Sequence, residues 1–197
     1  MHQDSAYFER LFAILSDVDE LSHILLKGHL LIEELLFRVI ADYLNSETYV
    51  ERARLSFYQK THLAHAICGD SADPLIWQMI EHINSLRNAM AHNLGALDDE
   101  RSQQRLRELH GLAIEDLQKD GITAVPELQD KNDNAKVLKT CVSIVCAYLY
   151  GYSFSLLDRR AYREALFSLI VRGVLTEAQR EKLDRAEERW SLYSRRT

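Results

Sequence analysis

The sequence predicts an all-α protein, a helical bundle with a C-terminal helical extension. Three observations lead to this prediction. Two prolines and seven glycines in 197 residues leave few positions where a helix must end. Apolar residues make up 47% of the chain, which suffices for a buried core in one domain. Through most of the chain they recur at helical spacing, and cap residues stand at several boundaries.

The first two predicted helices are amphipathic. In the first, from Ser5 to about Asp17, the apolar residues that share one side are Phe8, Leu11, Phe12 and Leu15. The second, residues 20–44, is long and rich in leucine and isoleucine, and it is broken after Asn45. Both helices therefore have an apolar face to bury against the rest of the bundle.

Cap residues delimit the next two helical regions. Residues 49–68 form a third region that ends at Gly69, because glycine readily takes the backbone conformation that follows a helix. Asp73 is a good N-cap, and Pro74 suits the first position of a helix. From there the fourth predicted helix runs to Gly95, a plausible C-cap.

A linker divides the rest of the chain. Residues 97–118 predict a charged, more exposed helix, and residues 119–136 carry the glycine, proline, asparagine and aspartate typical of a linker. We therefore predict a helical bundle over residues 1–118. Residues 137–197 are predicted to form C-terminal helices that pack on the bundle or extend it.

The C-terminal part carries three predicted helices: an apolar one over residues 137–157, one around 162–172, and one that begins at Thr176. Gln179 stands three residues after Thr176, which is the spacing of a capping box. The segment 158–197 holds ten Lys or Arg against seven Asp or Glu. Such a basic segment suits RNA or an acidic partner, but charged residues in this pattern more often form a solvated helix face.

Composition narrows the class of protein. The net charge of −6 gives no overall positive field that would attract nucleic acid. The three cysteines have no Cys-x-x-Cys spacing and apolar neighbours, which indicates buried thiols in a reducing compartment. Residues 141–157 are the most apolar stretch, but serines, tyrosines and a glycine make them a buried helix and no membrane span. We predict a cytoplasmic protein without a membrane segment.

Polar residues interrupt the fourth helix near its end. At 100° per residue, one stripe contains Glu81, Asn84, Ser85, Asn88 and His92, and the opposite core face contains Met79, Ile83, Leu86 and Met90. Arg87 falls at the edge of the apolar face, where it needs a carboxylate or a route to water. Glu33 is a candidate partner, because it lies among apolar residues of the second helix.

These residues carry a resemblance to a known family. The stretch "INSLRNAMAHN" contains R-N-x-x-x-H from Arg87 to His92 and resembles the motif of HEPN-domain proteins. "GHLLIEELLFRVI" (28–40) resembles their acid-bearing helix. "LSFYQKTHLAHAICG" (55–69) resembles a Phe/Lys/Leu-patterned segment between the two. The likeness covers about residues 20–118.

The resemblance implies an up-and-down helical bundle and a metal-independent endoribonuclease that works as a homodimer on RNA. His92 would act in acid–base catalysis on the ribose 2′-OH, and Arg87 would stabilise the charge on the phosphate. Asn88 would position His92 or the phosphate, and Glu33 would orient Arg87, with Asn84 in a supporting place. The products would carry a 2′,3′-cyclic phosphate, and the biological setting would be defence, stress response or a toxin–antitoxin pair.

Other readings stay open at this point. Leu94 stands where toxin members with a nucleotidyltransferase antitoxin often have a tyrosine two residues after the histidine. A non-catalytic protein-interaction or regulatory module of the same architecture is the rival hypothesis. The mannitol operon repressor family is a precedent for it in size and helicity. His62 and His65 have helical spacing for two metal ligands, but no carboxylate cluster accompanies them, so we predict neither metal nor cofactor.

Overall fold

The computed structural model describes residues 10, 13–15, 18–69, 72–93, 95–119, 121–122, 133–172, 176–181 and 184–185, without the side chains of 154 and 157–172. The helices that build the fold are α1 (Leu21–Leu44), α2 (Glu47–Arg52), α3 (Phe57–Cys68), α4 (Pro74–His92), α5 (Glu100–Lys119) and α6 (Asn134–Arg172). The described backbone contains no β-strand. The predicted all-α helical bundle is confirmed.

Helix α1 ends as its sequence indicates. Asn45 adopts a left-handed conformation (φ 54°, ψ 35°), and its N–H donates to the carbonyl of Ala41. Asparagine is one of the few residues that tolerate this conformation, which turns the chain out of the helix. The helix predicted for residues 5–17 falls mostly outside the described residues.

The third predicted helical region is in fact two helices, α2 and α3. Arg54 takes a positive φ of 48° between them, which interrupts the helical hydrogen bonds. Ser56 then opens α3 with a capping box, in which its hydroxyl accepts from the N–H of Gln59 and its own N–H donates to the Gln59 side chain. The segment between the two helices lets the chain turn back before α3 begins.

Helix α6 joins two helices that the sequence predicts as separate. The predicted interruption between residues 157 and 162 is wrong, because the helical backbone runs unbroken through it. No proline stands in this segment, and a single glycine, Gly151, does not end a helix that packs well on one side.

Helices α1 and α6 lie side by side and run in the same direction. Gly28 lies against Val142, and the guanidinium of Arg38 lies 5.8 Å from the ring centre of Tyr150, so residue numbers increase together along the contact. The absence of a side chain at Gly28 is what permits the approach. A Cβ atom there would stand 2.5 Å from Cγ2 of Val142.

Helix α4 runs opposite to α5. The carboxylate of Asp73 lies 3.2 Å from Nζ of Lys119, and Nδ1 of His82 lies 3.6 Å from the carboxylate of Glu108. Residue numbers rise along α4 as those of its contacts on α5 fall, so the two helices are antiparallel.

Helices α5 and α6 run in the same direction. Gln103 accepts a hydrogen bond from Asn134, and the carbonyl of Leu109 accepts one from Cys141. Since α6 is parallel to α1, α4 is antiparallel to α1 as well. This orientation decides which residues of α1 and α4 face each other at the candidate site.

The apolar side of α6 belongs to the same core as α1 and α4. The α6 residues buried there are Val137, Leu138, Cys141, Val142, Val145, Cys146 and Leu149. The division of the chain at residues 119–136 stays a prediction, because residues 123–132 lie outside the described part. None of the described helices carries a stretch long and apolar enough to cross a membrane.

Candidate functional site

Helix α4 carries the predicted motif, and its start follows the sequence prediction. Oδ1 of Asp73 accepts a hydrogen bond from the N–H two residues further on, at 2.9 Å, and Pro74 occupies the first position of the helix. This cap fixes where α4 begins and therefore which of its residues face the core.

Helix α4 ends about one helical turn earlier than the predicted end at Gly95. The helix ends at His92, and Asn93 takes an extended conformation with its N–H still bonded to the carbonyl of Ala89 at 3.1 Å. Gly95 is not the C-cap. Its N–H instead donates to Oδ1 of Asn93 at 3.0 Å, and a short 3-10 helix, Ala96–Asp98, follows. His92 is thus the last residue of the helix, next to its exposed carbonyl end.

The two faces of α4 are those that the spacing predicts. The predicted core residues Met79, Ile83, Leu86 and Met90 are all buried. Asn88 and His92 are exposed, whereas Asn84 and Arg87 are partly buried at the edge of the apolar face. The motif therefore presents its polar side chains outward from a helix whose other side is fixed in the core.

Arg87 pairs with no carboxylate in the part of the chain that the structure describes. Its one side-chain hydrogen bond to a described residue runs from Nη1 to Oδ1 of Asn88 at 3.4 Å, which is long for such a bond. Within the described part of the chain no carboxylate oxygen lies within 4.0 Å of the guanidinium. The remaining N–H groups of Arg87 are available to a ligand that carries oxygen acceptors.

His29 joins α1 to α4 beneath the motif. Its side chain is buried, with 6% of the residue exposed, and its Nε2 lies 3.3 Å from Oδ1 of Asn84. The imidazole stacks on the ring of Phe57 from α3, with 4.1 Å between ring centres. Burial lowers the pKa of His29 below its usual value, and the hydrogen bond to Asn84 opposes this effect. With the ring neutral, Nε2–H donates to the amide oxygen of Asn84.

Glu33 makes its ion pair with a residue that the sequence did not assign to the site. Oε1 of Glu33 lies 2.7 Å from Nζ of Lys60 on α3. The two side chains are 30% and 16% exposed, respectively, so the pair is largely shielded from solvent. In this structure the carboxylate of Glu33 contacts Lys60. The role of Glu33 in orienting Arg87 stays a prediction.

Glu33 and Arg87 lie on either side of the contact between His29 and Asn84. Glu33 follows His29 by one turn on α1, and Arg87 follows Asn84 by three residues on the antiparallel α4. Burial is the main cause of the lowered pKa of His29; Glu33 raises this pKa, whereas Arg87 and Lys60 lower it further. We call these five residues the inter-helix cluster.

Sequence reasoning missed two members of the inter-helix cluster. His29 and Lys60 lie within the two segments that flank the motif, residues 28–40 and 55–69, but the sequence analysis assigns neither of them a role in the site. The one available signal for Lys60 was its place on the same helix turn as Phe57, which faces α1. The pairing itself links residues 27 positions apart and leaves no periodic trace in the sequence.

A separate cavity lies at the other end of α1. Its volume is about 580 Å³, and its lining residues are Arg10, Glu34, Phe37, Arg38, Ala41, Asp42, Asn45, Ser46 and Glu47. None of the predicted site residues lines it. The motif on α4 therefore stands on an exposed helix end, away from this cavity.

Comparisons with known proteins add no relative. No family model matches the chain, and no curated protein and no solved structure matches it. The likeness to HEPN-domain proteins therefore rests on the residues of the motif and its two flanking segments.

Proposed function

We propose that the protein is a metal-independent endoribonuclease of the HEPN type that acts as a homodimer. One observation carries the proposal: no carboxylate of the described residues pairs with Arg87, and His92, which shares the last two turns of α4 with it, is exposed. A buried ion pair between Arg87 and a glutamate would have explained this arginine through the stability of the fold alone. The candidate partner, Glu33, pairs with Lys60. The guanidinium of Arg87 is therefore suited to binding a phosphate.

The reaction follows from the chemistry of these two side chains. A neutral His92 accepts the proton of a ribose 2′-OH as its oxygen attacks the adjacent phosphorus. The bond from phosphorus to the 5′-oxygen breaks, and a protonated imidazole donates a proton to that oxygen. Arg87 binds the non-bridging phosphate oxygens, where negative charge develops. The products carry a 2′,3′-cyclic phosphate and a 5′-hydroxyl.

Two protomers would bring Arg87 and His92 side chains to the same phosphate, which a single regular helix does not do. Arg87 and His92 are five residues apart, which places them about 140° apart around a regular helix. The backbone is helical up to His92, so the two side chains of one chain leave α4 in different directions. In a dimer, one His92 serves as the base and His92 of the partner subunit as the acid.

RNA cleavage by paired variants tests the proposal. A mixed panel of single-stranded RNAs is incubated with the wild type, Arg87→Ala and His92→Ala in EDTA and low salt. Surface variants Arg101→Ala and His62→Ala are the matched controls, because both residues are exposed and lie outside the motif. We expect cyclic-phosphate products from the wild type and the controls only. Folding of each variant is checked by circular dichroism and thermal unfolding.

A protein-interaction or regulatory module is the alternative, and one observation favours it. Leu26 and Leu30 lie one turn apart on α1 and are 42% and 63% exposed. Adjacent exposed leucines suit a partner surface. The two proposals differ in the RNA experiment: absence of cleavage by the wild type at high enzyme concentration contradicts the nuclease and leaves the module.

A further inference from the structure

Arg38 lies on α1 between two carboxylates and pairs with neither of them. Glu34 precedes it by four residues and Asp42 follows it by four, so both lie on its face of the helix. Side chains of opposite charge at this spacing commonly form ion pairs. Glu34 instead pairs with Arg10 through two contacts of 3.3 Å, and no carboxylate of the described residues pairs with Arg38. The guanidinium of Arg38 therefore keeps its hydrogen-bond donors available.

Two buried side chains of α6 hold Arg38 and Asp42 in place. The guanidinium carbon of Arg38 lies 5.8 Å from the ring centre of Tyr150, which is within the range of a cation–π contact. The hydroxyl of Ser153 donates a hydrogen bond to Oδ2 of Asp42. Tyr150 and Ser153 are 6% and 2% exposed, and they lie three residues apart on α6. Neutral partners thus position both charged groups, and no ion pair with a described residue offsets either charge.

Arg38 and Asp42 line the cavity of about 580 Å³ near the C-terminal end of α1. This volume lies within the range of about 300–1,000 Å³ that is typical of small-molecule sites. The lining also contains the half-buried Phe37 and the polar residues Asn45 and Ser46, and the Ser46 side chain makes no capping bond to α2. The cavity therefore offers an apolar wall, hydrogen-bonding groups and charges of both signs.

The charges of the lining select the class of ligand. Two arginines and three carboxylates line the cavity, which gives it a formal charge of −1. A nucleotide or another multiply charged anion would meet more repulsion than attraction there. A simple cation would leave the guanidinium of Arg38 without a partner. A small molecule that carries one negative and one positive group satisfies both Arg38 and Asp42.

We propose that this cavity binds a free α-amino acid. The carboxylate of the ligand accepts hydrogen bonds from Arg38, and its ammonium group donates to Asp42. Residues four apart on a helix have Cβ atoms about 5–6 Å apart, which suits a ligand whose two charges are separated by a single carbon. The side chain of the ligand lies along Phe37, where Asn45 and Ser46 can bond a polar end group. This site goes beyond the proposed ribonuclease function and does not depend on it.

Isothermal titration calorimetry of the whole chain tests the proposal, with each proteinogenic amino acid titrated in turn. We expect at least one of them to bind at micromolar to low millimolar concentration. Two derivatives of that amino acid then test its two charges, because the N-acetyl form lacks the ammonium group and the α-amide lacks the carboxylate. Each derivative should bind at least about tenfold more weakly, since it leaves one charged group of the cavity unpaired.

Cavity variants assign each charge of the ligand to one residue. Arg38→Met should weaken binding of the amino acid at least about tenfold and hardly change binding of its α-amide, because the lost contact is with the carboxylate. Asp42→Asn should weaken binding of the amino acid and hardly change binding of the N-acetyl form. Arg101→Met, at an exposed position of α5 outside the cavity, is the matched control and should bind as the wild type does. Thermal unfolding checks that each variant folds, and the comparison of derivatives on the wild type needs no variant.

Three results would overturn the proposal. Absence of binding by every amino acid at millimolar concentration would show that the cavity does not take this class of ligand, as would binding of inorganic phosphate alone in a parallel titration. Equal binding of the amino acid and both derivatives would show that its charges are not recognised. Binding unaffected by both Arg38→Met and Asp42→Asn would place the amino acid elsewhere on the protein. None of these measurements involves RNA cleavage, so failure of the proposed ribonuclease function is a separate outcome.

Discussion

Nε2 of His29 on α1 lies 3.3 Å from Oδ1 of Asn84 on α4, and this hydrogen bond joins the two helices next to the proposed site. The imidazole is buried against Phe57, so the neutral ring is the form that the fold accommodates. Protonation would place a charge in a shielded position beside Lys60 and Arg87. The contact therefore couples the stability of the bundle to pH.

We expect His29 to make the protein less stable as the pH falls below about 6.5. Burial lowers its pKa from the ordinary value of 6.5, so the unfolded chain takes up this proton at a higher pH than the folded one. The contribution is complete above 6.5 and is lost as the pH falls towards the lower, folded-state pKa. Its slope is at most about 1.4 kcal/mol per pH unit.

Urea unfolding of the wild type and of His29→Gln from pH 5 to pH 8 measures this contribution. The glutamine amide is intended to keep a donor for Asn84 while removing the titration. The stability difference between the two proteins should change with pH below 6.5 and be constant above it. His62→Gln, on an exposed position of α3, is the control. A pH-independent difference for His29→Gln would contradict the assignment.

Gly28→Ala should destabilise the bundle by about 1–3 kcal/mol, because the new methyl group has no room between α1 and α6. Its Cβ would stand 2.5 Å from Cγ2 of Val142, a stiff β-branched side chain. Adding Val142→Ala should recover part of the loss. Gly111→Ala is the matched control, since nothing lies within 4 Å of its Cβ position. It should stabilise α5 by about 0.5–1 kcal/mol. Thermal unfolding distinguishes these outcomes, and equal effects at both glycines would contradict the packing argument.

Ser56→Ala should lower the free energy of unfolding by about 1 kcal/mol, because α3 loses its N-terminal capping box. The Ser56 hydroxyl accepts from the N–H of Gln59, and the Gln59 side chain accepts from the N–H of Ser56. Ser56→Thr retains the acceptor and should stay close to the wild type. Denaturant unfolding of the three proteins checks the prediction, and equal stability of Ser56→Ala and wild type would refute it.

Local signals let the sequence predict the parts of the fold that depend on neighbouring residues. Asp73 and Pro74 mark the start of α4, and Thr176 with Gln179 marks a capping box that the structure confirms. The equivalent pattern, Ser-x-x-Gln, stands at Ser56 and marks the start of α3. This signal was not used to predict a helix start, because the amphipathic pattern on either side of it suggested one continuous helix.

Tertiary packing decided what local signals did not. Helix α6 stays continuous past residue 157, although the sequence analysis places a boundary between two helices there. The partner of Glu33 was likewise beyond sequence reasoning, since Lys60 reaches it only because α3 returns alongside α1. The five motif and supporting residues are a prediction from the sequence, whereas the inter-helix contacts that surround them required the fold.

Arg87→Lys should impair RNA cleavage by the proposed nuclease even though the charge is retained. The guanidinium offers a planar fork of donors that matches two phosphate oxygens, whereas an ammonium offers a single point of charge. We expect kcat to fall at least about tenfold, because the lost donors act on charge that develops in the transition state. Arg101→Lys on α5 should behave as the wild type, since Arg101 is exposed and outside the motif. Steady-state cleavage at several salt concentrations measures both kcat and KM. A selective rise in KM at high salt, with kcat unchanged, would instead mean that Arg87 contributes only general attraction to the RNA backbone.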